Sequence, residues 1–335
     1  MDTREILVKL CTPLDRMFRK GIFNSLFFWY ARRKLKLDVL PKVLKIEATN
    51  YCNASCVFCP YDKMTRPKGN MSQELFEKII TEATDNGIME IEFVHMGETL
   101  IDPNIFEKIR MAKSKGMRTQ MVSNGSLFSH KKIEEMFKSG LDILKISFEG
   151  YNEEIYRALR PGLDYHKIVD NLKAIMRYKK ENGYKYPFII IRIIYCPEHK
   201  KELDEFVLCW SDIVDDIEIL PLHNWTNLTD YKASSPITCI YPWTHMTILQ
   251  DGRVVPCTVE WEGKNTIGDL KHESLVEIWK GAKVKEVRQS LLDKKMQQLA
   301  LCCHCDIPYS ENRLNYLNQL LCLRQYPNIT VLRKV

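Results

Sequence analysis

Residues 46–60 read IEATNYCNASCVFCP and hold three cysteines, Cys52, Cys56 and Cys59, spaced C-x3-C-x2-C. The apolar run Val43 to Ala48 leads into them and predicts a β-strand that delivers all three on one loop. Three thiolates on one tight loop do not complete a four-sulfur shell, but they can bind three irons of a cubane cluster and leave the fourth iron open. A structural zinc site would use paired C-x2-C knuckles and a fourth ligand, and zinc remains an alternative on this spacing alone.

This loop resembles the cluster loop of the radical S-adenosylmethionine (radical SAM) enzymes. Their pattern is C-x3-C-x-aromatic-C, and Phe58 fills the aromatic place. The resemblance extends over roughly residues 43–305. It implies a 4Fe-4S cluster on Cys52, Cys56 and Cys59, with S-adenosylmethionine (SAM) chelating the open iron. Reductive cleavage of SAM would then give a 5′-deoxyadenosyl radical that removes a hydrogen atom from the substrate.

The amino-acid composition limits the classes of protein to which this chain can belong. The chain has 335 residues, of which 45% are hydrophobic and 27% charged, as expected of a soluble globular chain with one large domain or two. Its net charge of +6 is diffuse and does not predict nucleic-acid binding. Twelve cysteines without a signal peptide predict reduced thiols in the cytoplasm, where clusters account for the cysteine count. No stretch has the roughly 20 apolar residues of a membrane span.

Residues 1–42 form a separate basic, amphipathic segment. Between residues 10 and 36 the chain mixes aromatic and aliphatic side chains with arginine and lysine. Such a segment can lie on an anionic membrane surface. The interpretation that we favour is a helix packed on the outside of the main domain, with peripheral membrane contact as the alternative.

From residue 43 to about 230, apolar strand-like runs alternate with amphipathic helical patterns. This alternation predicts parallel β/α units, and six of them fit the partial (β/α)6 barrel of the radical SAM family. The predicted strands are 43–48, 90–95, 118–123, 143–148, 188–195 and 217–222. The predicted helices are 72–86, 103–115, 130–139, 165–182 and 199–212. In parallel barrels the chemistry gathers at the carboxyl ends of the strands.

Polar residues follow the second and third strands, and the resemblance assigns them to SAM. Gly97 and Glu98 stand where the family has a Gly-Gly-Glu-Pro-like turn that holds the amino group of SAM. Met96 and Thr99 replace a usual glycine and proline, and a polar turn that only caps a helix is the alternative. Ser123-Asn124-Gly125 follows the third strand, where small polar side chains can bind a ribose or a carboxylate.

The later strands end in further candidates. By resemblance, Ser147 would meet the ribose or carboxylate of SAM, and Arg160 would lie near its carboxylate. Glu149 is expected to face the substrate or the solvent. Cys196 follows the fifth strand and is a candidate hydrogen-atom donor to a substrate radical, with buried packing as the commoner role. The sixth strand leads to His223 and Asn224, which are candidates for substrate or adenine contacts.

Residues 231–335 carry a second set of cysteines. Cys239 precedes the hairpin signal Asp251-Gly252, Cys257 follows it, and Cys302-Cys303-His304-Cys305 comes much later. Two cysteines on a hairpin and a distant C-x2-C make a four-thiolate site, which zinc would also accept. The arrangement resembles the SPASM and twitch extensions, including the segments 267–270 and 275–279. It implies one auxiliary 4Fe-4S cluster on Cys239, Cys257, Cys302 and Cys305, although Cys303 could replace Cys302. Cys322 lies in the leucine-rich helical stretch 314–323 and is expected in the core.

The resemblance also narrows the reaction. Twitch-bearing relatives oxidise or epimerise sugars and aminocyclitols, and SPASM relatives include peptide maturases. Residues 1–42 are too short for a winged-helix peptide-recognition unit, so we expect a small polar substrate and oxidation or epimerisation at a carbon. A peptide- or protein-modifying maturase is the alternative, and a non-catalytic zinc module is a distant one. A low-potential electron donor such as flavodoxin or ferredoxin is the expected redox partner.

Overall fold

A computed structural model describes residues 40–223, 225, 239–303 and 305. Within these residues, nine strands form one sheet in the order β6-β5-β4-β3-β2-β1-β7-β8-β9. Their bounds are Val43–Ile46 (β1), Glu90–Phe93 (β2), Arg118–Ser123 (β3), Ile143–Ser147 (β4), Phe188–Tyr195 (β5), Asp216–Pro221 (β6), His245–Ile248 (β7), Arg253–Val255 (β8) and Gly268–Asp269 (β9). Strands β1 to β6 are all parallel to their neighbours, as β/α units require.

The helices of the described residues lie between the strands and after them. Their bounds are Gln73–Asp85 (α1), Ile105–Ser114 (α2), His130–Lys138 (α3), Glu153–Leu159 (α4), Tyr165–Glu181 (α5), Lys200–Trp210 (α6), Tyr241–Thr244 (α7), Leu275–Lys280 (α8) and Ala282–Leu292 (α9). Short 3-10 turns are found at Pro60–Lys63, Thr99–Ile101, Pro197–His199 and Met296–Gln298.

Local sequence signals explain several of these boundaries. The Ser72 hydroxyl accepts a hydrogen bond from the Leu75 amide and so caps α1. Gly87 and Gly116 follow α1 and α2 with φ values of 74° and 76°, a conformation that glycine adopts without steric cost. These local signals set the start of α1 and the ends of α1 and α2, in agreement with the predicted helices 72–86 and 103–115.

One face of the curved sheet packs against the helices. On β1 the side chains of Leu44 and Ile46 are fully buried in the main hydrophobic cluster, which also contains Phe76 and Ile79 of α1. Because side chains alternate along a strand, Lys45 points to the opposite, inner face. The helices therefore cover the outside of the partial barrel, and its interior receives a different set of residues.

The C-terminal part joins the barrel through the sheet itself. Strand β7 pairs in parallel with β1, from Val43 opposite His245 to Ile46 opposite Ile248. It then turns through Gly252, whose φ is 92°, into the antiparallel strands β8 and β9. The predicted α/β class, with a partial barrel and a small hairpin-plus-helices region, is confirmed. The domain boundary between residues 230 and 231 stays a prediction.

The predicted and observed elements differ in a few places. All six predicted strands form, and residues 118–123 and 188–195 match at both ends. Helix α4 was not predicted, because seven residues are too few for a periodic pattern to stand out. The N-terminal segment 1–39, Asn224, the stretch 314–323 and Cys322 lie outside the described residues. Within the part of the chain that the structure describes, no helix combines the length and apolar character needed to cross a bilayer.

Candidate active site and cluster sites

The cluster loop leaves the carboxyl end of β1 and holds its three thiols close together. Cys52, Cys56 and Cys59 are half-buried, and each lies within electrostatic range of at least one other. Burial raises the pKa of Cys52 to about 11 and that of Cys59 to about 12, and backbone amides hydrogen-bonded to the sulfurs oppose the rise. The amide of Cys52 donates to the hydroxyl of Tyr61 at 2.8 Å, which fixes the loop on the 3-10 turn after it.

Arg160 connects this loop to the end of β4. Its Nη1 lies 3.4 Å from Sγ of Cys56, and its guanidinium carbon lies 5.3 Å from the centre of the Phe58 ring. Its Nε donates to Glu149, and both side chains of this ion pair are almost fully buried. The expectation that Glu149 faces the solvent is therefore wrong, and the alternative that it faces the substrate stays a prediction. An arginine buried in an apolar interior needs a carboxylate partner, and Glu149 supplies it. The predicted role of Arg160 toward SAM stays a prediction.

The turn after β2 is tied to both the cluster loop and the third strand. Glu98 is 2% exposed, and its carboxylate accepts hydrogen bonds from the Ser123 hydroxyl at 2.7 Å and the Asn124 amide at 2.6 Å. The amide of Glu98 donates to the Tyr51 carbonyl at 2.8 Å. Burial raises the pKa of Glu98, and these hydrogen bonds oppose that rise. The structure thus brings together Glu98, Ser123 and Asn124, three residues that the sequence assigned to SAM.

Gly97 is required by the close approach of two backbones. Its φ is 93°, and a Cβ at this position would lie 2.5 Å from the Thr49 carbonyl oxygen and 2.9 Å from Cα of Asn50. Only glycine fits here without moving the start of the cluster loop. Ser147 is the last residue of β4 and is half-buried, as expected of a side chain at the mouth of the barrel.

The carboxyl ends of β1 and β2 hold a buried polar group that the sequence did not reveal. Glu47 pairs with Arg66 and also with Nδ1 of His95 at 2.9 Å, and the side chains of Glu47 and His95 have no exposed surface. His95 Nε2 is buried without a hydrogen-bond partner in the described residues. Burial raises the pKa of Glu47, but its bonds to His95 and Arg66 outweigh this and lower it overall. A polar residue within two positions of the end of each apolar strand was the signal that could have found this group.

Cys196 lies at the carboxyl end of β5, mostly buried, beside Tyr151. Its amide donates to the Tyr151 hydroxyl at 3.1 Å, and that hydroxyl donates to the Ile194 carbonyl. Burial raises the pKa of Cys196, which keeps the sulfur protonated. A protonated thiol is the form that can donate a hydrogen atom. His223 lies in the described part, but its predicted contact with a substrate or adenine stays a prediction.

Four thiols in the C-terminal part surround one pocket. Its lining combines aliphatic and aromatic side chains with Cys239, Cys257, Cys302 and Cys305, the four residues predicted to hold the auxiliary cluster. Cys303 is not part of this lining, and its thiol donates instead to the Ala300 carbonyl at 3.4 Å. Burial raises the pKa of Cys257 to about 11 and that of Cys302 to about 12. The backbone amides of Val259 and Glu260 hydrogen-bond the sulfur of Cys257.

Both thiol sets fit iron–sulfur clusters by the chemistry of their donors. Soft thiolates in an apolar surrounding are the ligands of such clusters, and amide donors to sulfur tune them. In residues 40–223, 225, 239–303 and 305, no three His, Cys, Asp or Glu side chains are arranged to chelate a single metal ion. The match to iron–sulfur clusters therefore rests on the kind of ligand that the two sites offer, namely thiols, and not on a ready-made site for a single metal ion.

Comparison with protein-family models shows to which family the chain belongs. A model described as the radical SAM superfamily matches residues 46–208, and a model of an iron–sulfur cluster-binding domain, SPASM, matches residues 239–306. This chain belongs to the radical SAM superfamily. As a radical SAM protein with a SPASM domain, it takes a 4Fe-4S cluster, SAM and an auxiliary iron–sulfur cluster.

Curated relatives match over part of their length. A tungsten-containing aldehyde ferredoxin oxidoreductase cofactor-modifying protein of Pyrococcus furiosus is 26% identical over 169 residues, which are 49% of this radical SAM chain and 46% of the relative. A probable GTP 3′,8-cyclase of Methanothermobacter thermautotrophicus is 32% identical over 115 residues, 34% of this chain and 37% of the relative. The chain thus spans less than half the length of these curated relatives.

Solved structures of other proteins share the fold. BtrN in complex with AdoMet and 2-DOIA has a TM-score of 0.57 and 17% identity, and the match covers 81% of this chain and 94% of BtrN. SuiB of Streptococcus suis bound to its precursor peptide SuiA has a TM-score of 0.62 and 17% identity, with 79% of this chain and 70% of SuiB covered. At this level of identity the likeness shows the fold, and the substrate class has to be argued separately.

Proposed function

We propose that this protein uses SAM to start radical chemistry on a small polar molecule, sugar-like or aminocyclitol-like, and that the outcome is oxidation or epimerisation at one carbon. The observation that carries the proposal is the direct pairing of β1 with β7. Strand β1 delivers the cluster loop, and β7 leads into the hairpin that carries Cys257. One sheet thus joins the two sets of thiols. This arrangement suits a reaction in which a radical is generated at the first site and an electron is then transferred to the second.

Each set of residues has a distinct task in this proposal. Cys52, Cys56 and Cys59 hold the first cluster, and Cys239, Cys257, Cys302 and Cys305 hold the auxiliary cluster. Gly97, Glu98, Ser123, Asn124 and Ser147 bind or position SAM. When bound, the first cluster and SAM supply a 5′-deoxyadenosyl radical, and the auxiliary cluster supplies a one-electron acceptor.

The protein's own groups limit what happens to the substrate. Loss of one electron and one proton from a substrate radical that carries a hydroxyl gives a carbonyl, which is oxidation. Return of one hydrogen atom to the opposite face gives the epimer, and the protonated thiol of Cys196 is the donor in that case. This leaves a thiyl radical, which one electron from the low-potential donor and one proton return to the thiol. Because Arg160 is paired with Glu149, it holds Cys56 and Phe58 in place before any ligand arrives.

A peptide-modifying reaction is the second candidate. It is favoured by the fold likeness to SuiB, whose structure was solved with a precursor peptide. The fold likeness to BtrN, solved with AdoMet and 2-DOIA, supports the small-molecule proposal to the same degree, so the two differ in substrate and not in scaffold. A redox donor such as flavodoxin or ferredoxin and a cytoplasmic location stay predictions.

Product analysis tests the proposal. Reconstituted enzyme is incubated without oxygen with SAM, dithionite and panels of cyclitols, sugars and peptides in deuterated water. Turnover of a cyclitol or sugar supports the proposal, and turnover of peptides alone contradicts it. A carbonyl product without solvent deuterium assigns oxidation. Incorporation of one deuterium, lost in Cys196→Ala but kept in the exposed-cysteine control Cys209→Ala, assigns epimerisation.

A further inference from the structure

Five ionisable side chains meet inside the partial barrel. They come from five different strands, and we refer to them together as the lumen cluster: Lys45 of β1, Glu92 of β2, Lys145 of β4, Arg192 of β5 and Glu218 of β6. The interior of a parallel barrel is usually filled by branched aliphatic side chains. A charged interior is costly, so these residues call for a functional reason.

The contacts place the lumen cluster on the inner face of the sheet. Lys145 Nζ lies 3.1 Å from Glu92 across the intervening strand β3, and Lys45 Nζ lies 3.7 Å from the same carboxylate. Arg192 donates from Nε to Glu218 on the neighbouring strand. Glu92 is thus shared by two lysines, and its pKa is lowered because the attraction of Lys145, Lys45 and Arg192 outweighs the effect of burial.

The charges of the lumen cluster do not cancel. It contains three cations, Lys45, Lys145 and Arg192, and two carboxylates, Glu92 and Glu218. The neighbouring carboxylate of Glu90 pairs with Arg118 at 3.8 Å, so one positive charge is left in excess. Burial lowers the pKa of Lys45 and so do Lys145 and Arg192, whereas Glu92 and the Cys257 thiol of the auxiliary site oppose this. An anion bound beside Lys45 would offset both the burial and the repulsion between the cations.

Two of the three cations are partly exposed and are therefore accessible to a ligand. The side chains of Arg192 and Lys45 are 18% and 17% exposed, whereas Lys145 is 3% exposed. Within the described part of the chain, the Arg192 side chain donates a hydrogen bond from Nε and makes none through its two amino groups. Arg192 lies opposite Ser147, the last residue of β4, so it stands at the level where the strands end.

We propose that the lumen cluster binds an anionic group of the substrate, a phosphate or a carboxylate, with Arg192 and Lys45 as its direct partners. A guanidinium binds either group through two parallel hydrogen bonds. The inference rests on the proposed function and narrows it to a sugar or cyclitol that carries such a group. The lumen cluster recognises the negative charge that a phosphate and a carboxylate have in common. The test below distinguishes the two groups.

Calorimetry on the anaerobic holoenzyme with SAM tests this, using glucose 1-phosphate, glucuronate and glucose as probes. We expect at least one anionic probe to bind ten-fold or more tightly than glucose, and the better of the two identifies phosphate or carboxylate. Arg192→Gln and Lys45→Gln should each remove most of this preference. Lys131→Gln removes the same charge from a side chain that is 84% exposed and should keep the preference.

The first two variants could lose binding simply because they fail to fold. A third variant, which is expected to strengthen binding, separates these explanations. Glu218→Gln removes a carboxylate beside Arg192 and should tighten binding of the preferred anion about three-fold, with iron content unchanged. Equal binding of all three probes, or an anion preference that survives in Arg192→Gln and Lys45→Gln, overturns the inference. 5′-Deoxyadenosine formation by the wild-type enzyme is measured in parallel, because its absence would contradict the proposed function itself.

Discussion

Arg66 and Glu47 form a buried bidentate ion pair at the carboxyl end of β1. Nη1 of Arg66 lies 2.7 Å from Oε2 of Glu47, and Nη2 contacts Oε1. The Nε of the same arginine donates to the Trp261 carbonyl at 2.8 Å. One side chain therefore joins the residues before the cluster loop to the segment after the C-terminal hairpin.

Removing this arginine should destabilise the protein strongly. Arg66→Ala leaves Glu47 charged, buried and without its bidentate partner, which costs about 3–5 kcal/mol of unfolding free energy. The matched control is Arg110→Ala, since Arg110 pairs with Glu107 on the surface of α2 and should contribute less than about 1 kcal/mol. Urea unfolding followed by circular dichroism measures both. Similar losses in the two variants would contradict a structural role for the Arg66 pair.

Gly97 and Gly162 provide a second matched pair. Both have positive φ, but a Cβ on Gly97 would collide with the Thr49 carbonyl, whereas nothing lies within 4 Å of a Cβ on Gly162. Gly162→Ala should cost about 1 kcal/mol for its backbone conformation and keep SAM binding. Gly97→Ala should displace the cluster loop and lower SAM affinity at least ten-fold, as measured by anaerobic calorimetry. Equal SAM affinity in both variants would show that the close backbone approach is not needed.

The adjacent cysteines Cys302 and Cys303 should differ in iron retention. Cys302 lines the pocket with the three other thiols, and Cys303 does not. Cys302→Ala should therefore lose about four irons per chain after reconstitution, the content of one 4Fe-4S cluster, and Cys303→Ala should retain them. Iron and sulfide analysis gives the answer, and the reverse pattern would make Cys303 the ligand.

His245 should make the protein sensitive to acid. Burial, together with Lys45 and Lys145, lowers its pKa to about 3, although Glu92 opposes this. An unfolded histidine titrates near pH 6.5, so below that value the unfolded chain binds one proton more than the folded chain. The stability contributed by neutral His245 is full above about pH 6.5 and falls by up to about 1.4 kcal/mol per pH unit as the pH decreases toward 3.

Replacing His245 should flatten this dependence. The slope of unfolding free energy between pH 7 and 5 should be smaller in His245→Gln than in the wild type. His166→Gln is the control, because His166 is 67% exposed and should leave the slope as it is. Urea unfolding across this pH range measures the slopes, and an unchanged slope in His245→Gln would show that its burial does not govern acid stability.

The sequence predicted what depends on local pattern. Strands 118–123 and 188–195 and the cap at Ser72 follow from short-range signals. The four thiols that line the auxiliary pocket were predicted from their spacing together with the resemblance to SPASM extensions. The ion pairs were missed for a physical reason. Lys45, Lys145 and Arg192 interrupt apolar strands, and only closure of the sheet brings them to Glu92 and Glu218. Arg66 reaches Trp261 in the same non-local way.

The central claim is that two clusters, on two separate sets of thiols, serve one radical SAM reaction. The most direct test counts iron and sulfide on protein reconstituted without oxygen and measures 5′-deoxyadenosine after addition of SAM and dithionite. We expect about eight irons per chain, falling to about four with loss of cleavage when Cys52, Cys56 and Cys59 are all replaced by alanine. About four irons in the wild type would contradict the auxiliary cluster, and absence of both iron and SAM cleavage would contradict the whole account.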